Sequence, residues 1–149
     1  MRERRDLGMM RRLAAVQRAR RVGAEAAMAA AAQAEREAAE AEREAEARSL
    51  SARLDWSEHL ARPGFSPEFS RALSSVLIVR EGEAGEAARK ARSSEDNHAE
   101  RRGEWQRLEA QVRLSEQSVK GLRRKVARKE DERKMAALAD RVTYFWSRP

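Results

Sequence analysis

Proline occurs only at positions 63, 67 and 149, and two of the three fall in Arg62-Pro63-Gly64-Phe65-Ser66-Pro67-Glu68, the one stretch where several helix-breaking signals coincide. Pro63 pushes Arg62 out of the helical region, and Gly64 tolerates a positive φ. Ser66, Pro67 and Glu68 read as N-cap, first helical residue and an acid matched to the helix dipole. The chain must turn here and has no comparable reason to turn elsewhere. The expected architecture is therefore all-α: a two-helix antiparallel coiled-coil hairpin with long arms, arm one over about 4–61, a hinge at 62–66 and arm two over about 67–145. Such arms would run roughly 90 and 120 Å at about 1.5 Å per residue, and the whole of 1–149 forms a single hairpin.

Composition decides whether such arms are ordered. Ala, Glu, Lys, Leu and Arg supply 92 of the 149 residues, whereas Val, Ile, Leu and Phe number 23. The first figure lies above the roughly 50% that marks long or coiled helices, and the second below the roughly 20% of a self-sufficient globular core. A slender helical object is expected, and sandwich, barrel or doubly wound folds are disfavoured. Helix propensity and the small number of Gly, 7, favour order. With no Cys there are no disulfides, Cys-ligated zinc or thiol chemistry.

Arms of this length need a partner, and the second arm displays its seam. Leu73, Leu77, Arg80, Ala84, Ala87, Ala91, Ser94, His98, Arg101, Trp105, Leu108, Val112, Ser115, Val119, Leu122 and Val126 alternate spacings of four and three, an unbroken heptad register. The glycines Gly82, Gly85, Gly103 and Gly121 all fall outside it. In the first arm the best frame is Met10, Leu13, Gln17, Arg20, Ala24, Ala27, Ala31, Ala34, Ala38, Ala41, Ala45, Arg48 and Ala52, where abundant Ala makes several frames look alike. Folding at the hinge pairs residues whose numbers sum to about 128. This sets Ala against Ala in the middle, where each residue buries little. Beyond Val126 the tail residues Met135, Leu138, Val142 and Phe145 resume the spacing in a shifted phase that the first arm cannot cover.

Charge runs in blocks. Lys plus Arg less Asp plus Glu gives +6 over 1–22, −5 over 23–46, +2 over 47–80, −3 over 81–100 and +7 over 101–149. Folding lays like blocks side by side, so intramolecular pairing does not account for them, and a basic terminal end suits an acidic receptor. The richest basic stretch, residues 120–129, holds six cations, yet it has no aromatic residue for base stacking and is followed at once by Glu130, Asp131 and Glu132. Nucleic acid is accordingly not the expected partner. Residues 1–34 imitate a secretory signal, but Glu25 and Gln33 interrupt an Ala-rich centre that is barely apolar. No apolar run approaches the ~20 residues that span a bilayer. A soluble, cytoplasmic protein without direct membrane insertion is expected.

Catalysis is not expected either. His59 and His98 are the only histidines and would lie on opposite arms, with no metal-ligand spacing around them. No phosphate loop or nucleophile elbow is present, and no cofactor is implied. His98, at a seam position, reads as a polar irregularity that sets register.

A basic hairpin of this size, with a hinge short of mid-chain, an apolar-aromatic opening to the second arm and a tail rich in Asp, Arg, Met and Ala, resembles the FliJ/YscO family, the central-stalk proteins of flagellar and virulence type III secretion. The most specific piece is Phe69, Leu73, Val76 and Arg80, spaced i, i+4, i+7 and i+11 just after the hinge, which look like that family's face for the export gate. On the first arm only Trp56 would join it. The resemblance implies a stalk whose terminal end enters a hexameric secretion ATPase and whose hinge-proximal region reaches the cytoplasmic part of an export-gate membrane protein. Some members of that family also carry free secretion chaperones, a helix-to-helix contact that an exposed seam could support. Under the same resemblance the ATPase contact falls to Met9, Met10, Leu13, Leu138, Val142, Phe145 and Trp146, assisted by Arg11, Arg12, Arg123 and Arg124. A generic coiled-coil scaffold or adaptor, and a basic nucleic-acid-associated helical protein, are the alternatives.

Overall fold

The structure, a computed structural model, describes residues 2–146. Helix α1 spans Arg2–Ala61 and helix α2 spans Pro67–Trp146, and the two pack against each other as a helical hairpin. The turn uses the devices its residues suggest. Gly64 has φ +100°, a left-handed conformation that side-chain-bearing residues avoid. Ser66 Oγ accepts from the Phe69 N–H at 3.4 Å, and the Ser66 carbonyl accepts the first α2 hydrogen bond from Ser70 N–H at 2.9 Å. His59, in the last turn of α1, locks the turn from the other side. Its Nε2–H donates to the Ser66 carbonyl at 3.3 Å, and its ring meets Phe65 and Phe69 at centroid distances of 5.8 and 4.8 Å.

The α2 seam lies where the heptad spacing puts it. Every position from Leu73 to Val126 is buried or half-buried except Arg101, whose guanidinium turns out to Glu104 at 3.2 Å. In α1 half of the expected frame is displaced. Met10, Gln17, Ala24, Ala31, Ala38, Ala45 and Ala52 do face inward, but Leu13, Arg20, Ala34, Ala41 and Arg48 are exposed. The second line of the seam lies one residue further on, through Leu7, Ala14, Arg21, Met28, Glu35, Glu42, Ser49 and Trp56, while Ala27 is half-buried beside Met28. The physical reason lies at the ends. A one-residue step rotates the line by about 100° and at its two ends brings in Leu7 and Trp56, large side chains whose burial outweighs any preference among alanines, where the other line would carry Asp6 and Asp55.

Partners across the hairpin also sit further from the hinge than the simple fold-back gives. Arg21 meets Glu109 rather than residue 107, and Glu35 meets His98 rather than residue 93. Side chains lean toward the N-terminus of their own helix. In an antiparallel pair the two leans are opposed, so contacting residues are offset from backbone symmetry.

The hairpin divides into two compact units: a terminal unit of Met1–Ala24 with Trp105–Pro149, and a hinge unit of Glu25–Glu104. Among the described residues no helix is long and apolar enough to cross a membrane, and no group of His, Cys, Asp and Glu could hold a metal ion.

Candidate interaction surfaces

In the hinge unit the structure separates the five residues expected to act together. Phe69 and Val76 are exposed, at 54% and 49%. Leu73 is half-buried in the seam, as is Arg80, which bonds Glu83 at 2.8 Å. Trp56 is half-buried on α1 with an indole N–H that is buried and unpartnered. The free surface is therefore a second stripe beside the seam, Phe69, Ala72, Val76 and Val79, all exposed and spaced by three, four and three. Phe65 and Ile78 add to the exposed apolar surface of this region. Val79 was legible as the next member of that spacing. Phe65 lies in the hinge, where periodicity carries no signal.

In the terminal unit, the basic blocks at the two chain ends come together. This unit contains 20 Lys and Arg against 8 Asp and Glu, whereas the hinge unit contains 12 against 17. Some pairing crosses the hairpin here, though it leaves the charge surplus in place. The few acids along the terminal seam are used: Glu130 accepts from Arg4 at 2.5 Å, Glu109 from Arg21 at 3.1 Å, Glu116 lies 3.7 Å from Arg18, and Glu3 pairs with Lys129. Arg21 holds the Glu109 carboxyl below its usual range against an opposing desolvation, with Arg113 helping, and the Lys129 ammonium lowers Glu3. The hinge unit has one such bridge between arginine and acid, Arg53 to Glu81 at 2.8 Å, and a polar seam pair in which His98 Nδ1–H donates to Glu35.

Pairing takes up the acids that flank the terminal seam and leaves most of the cations of this unit over. Arg11, Arg12, Arg123 and Arg124 are exposed and meet no acidic partner among the described residues. Arg11 and Arg123 line one open groove of about 600 Å³ over Ala14 and Val119, whereas Arg12 and Arg124 do not. Met9 and Leu13 are exposed and Met10 is half-buried. They lie on the stretch of α1 around Arg11 and Ala14, which shares a groove with Glu116 to Arg123 of α2 and not with the tail.

The tail stands apart because α1 runs out. Glu3 and Arg4 meet Lys129 and Glu130, and every residue over 131–146 is exposed, Phe145 and Trp146 at 73% and 86%. Extending the seam in phase would turn Arg133, Ala136, Asp140 and Thr143 inward. Met135, Leu138, Val142, Phe145 and Trp146 lie on average roughly 150° further round the helix at about 100° per residue. Their apolar face points away from the side α1 would cover.

Compared with known proteins, the chain matches no family model, no curated protein and no solved structure.

Proposed function

We propose that this chain is a stalk protein of a type III secretion export apparatus, acting by binding rather than catalysis. In this reading the terminal unit enters a hexameric secretion ATPase, and the exposed stripe after the hinge meets the cytoplasmic part of an export-gate membrane protein. The observation that carries the reading is the tail: a helical segment of mixed charge whose Leu138, Val142, Phe145 and Trp146 are uncovered within an otherwise paired hairpin. Exposed aromatic and aliphatic side chains in one stripe are the kind of anchor that protein interfaces bury. Surplus cations nearby would speed encounter with an acidic rim and make association salt-sensitive, since exposed charges are screened beyond about 8 Å at physiological ionic strength.

The hinge stripe supports the second contact. Phe69 and Val76 are held by a helix whose own seam residues, Leu73 and Leu77, are already engaged, so they are available without unfolding the hairpin. Secretion chaperones are a further class of partner for the same kind of helical surface, and the site of action is the cytoplasmic face of the apparatus.

The test is truncation. A chain ending before residue 142 should lose assembly or stimulation of the ATPase while retaining the export-gate partner and its helicity, and Phe69→Ala with Val76→Ala should do the reverse. A truncated chain that still assembles the ATPase normally refutes the terminal contact. Equal loss of every partner by both variants favours a general scaffold.

A further inference from the structure

One side of the terminal unit carries a ladder with a wrong rung. Arg4 bridges to Glu130, and fourteen residues later on α1 and earlier on α2, two heptad steps along, Arg18 to Glu116 is again a pair of opposite charges. Halfway between them, the same heptad step brings Arg11 to Arg123. Both line the groove of about 600 Å³ whose floor is Ala14 and Val119, and Lys120 joins them. Among the described residues Arg11, Lys120 and Arg123 have no acidic partner, and the acid that lines the groove, Glu116, lies 3.7 Å from Arg18. Facing cations repel, so this rung lowers the stability of the free hairpin where an Arg to Glu pair would have been neutral or better.

We propose that the groove between Arg11 and Arg123 is the receiving site for carboxylates of an acidic partner segment, which completes the ladder. The inference rests on the reading that the terminal unit enters a protein partner, and it names the chemistry of that partner at this site. A carboxylate placed between the two guanidiniums accepts from both, and a second one reaches Lys120 one turn away, while small apolar side chains of the segment cover Ala14 and Val119. The geometry favours a peptide segment over phosphate. The cations are spread along the groove, Arg11 and Arg18 being roughly 10 Å apart on α1 at two turns, rather than converging on one point. The groove lies within the two helices, where backbone N–H groups are already bonded and none is left for the cradle that phosphate sites use.

Arg123→Glu tests this, because it converts the wrong rung into the pattern of its neighbours. The variant should melt no lower than the original chain and should bind a short peptide of alternating Glu and Ala about tenfold more weakly, the loss expected for one charge-assisted contact. Lys125→Glu, the same charge change outside the groove, should leave most of the peptide affinity intact. Equal peptide affinity for Arg123→Glu and the original chain, or equal losses in the two variants, would overturn the proposal. So would a fall in melting temperature specific to Arg123→Glu, or binding of tripolyphosphate but not of the peptide. The secretion reading fails separately: an intact chain that binds the peptide through Arg123 yet ignores the secretion ATPase refutes the function and leaves the groove, while an ATPase that binds both chains equally refutes the groove and leaves the function.

Discussion

The two units are built on one heptad pattern but held by different means. The terminal seam carries Leu7, Trp105, Leu108, Val112, Val119, Leu122 and Val126, whereas the middle of the hinge-unit seam is largely Ala31, Ala38, Ala45, Ala52, Ala84, Ala87 and Ala91, with Ser49 and the pair of Glu35 with His98 among them and the larger Met28, Trp56, Leu73 and Leu77 toward its ends. Burying a Leu or Val contributes about 1.5–3 kcal/mol and an Ala much less. The difference shows that an unbroken heptad spacing specifies which sides meet without specifying how firmly. The terminal unit is anchored by apolar area and bridged at its flanks. The hinge unit depends on close-fitting small residues, a few polar pairs and the capped turn at Ser66.

The comparison breaks most visibly at Val112, 6% exposed. Val112→Asp should cost about 3 kcal/mol or more by placing an unpaired charge in the seam. Amide exchange should show protection lost first over 105–130, with 30–60 and 70–100 less affected. Uniform loss along both helices would mean that the two units are not separately stabilised.

The converse change probes the alanines. Ala45 is 3% exposed where the two helices meet, and Ala45→Leu should destabilise by about 1–3 kcal/mol by forcing added methylenes into that contact. A chain that denatures later in urea would instead mean that the hinge unit is underpacked.

Smaller still is the polar pair. His98→Ala removes a hydrogen bond worth about 1 kcal/mol, and a double-mutant cycle with Glu35→Ala should show coupling of that order. Additive effects would remove the register role of His98 that its seam position suggested.

The smallest effect separates the units by acid titration. The folded-state pKa values of Glu3 and Glu109 lie below the usual carboxylate range, held there by Lys129 and by Arg21. A depressed carboxylate contributes stability that is present above its unfolded pKa and is lost as pH falls through the folded one. Acidification from neutral pH should therefore weaken the terminal unit through these two groups. Lys129→Ala should flatten the Glu3 part, as followed by carboxyl NMR shifts, and an unchanged profile would show that this bridge contributes nothing.

Much of this molecule is readable from local signals. Arg62 to Glu68 determines where the chain turns, because Pro, Gly and Ser act through their own backbone geometry and one hydrogen bond. Composition determines that the rest is helix, and the 3,4 spacing of large residues determines which side of α2 faces inward. The uncovered tail follows as well, since α1 is shorter than α2 and the apolar residues after Val126 leave the seam's phase. What only the tertiary structure decided is everything that depends on two helices at once. Which line of α1 completes the seam was invisible because alanines occupy several lines alike, and it was settled by the burial of Leu7 and the half-burial of Trp56. Phe69 and Val76 are free while Leu73 and Arg80 are engaged because α1 covers one edge of their shared face. Arg11 stands opposite Arg123 only once an antiparallel register exists. A residue's own chemistry is carried along the chain, but its partner is chosen by a rotation of about 100° per residue and by how far two opposed side chains lean, and neither is encoded at a single position.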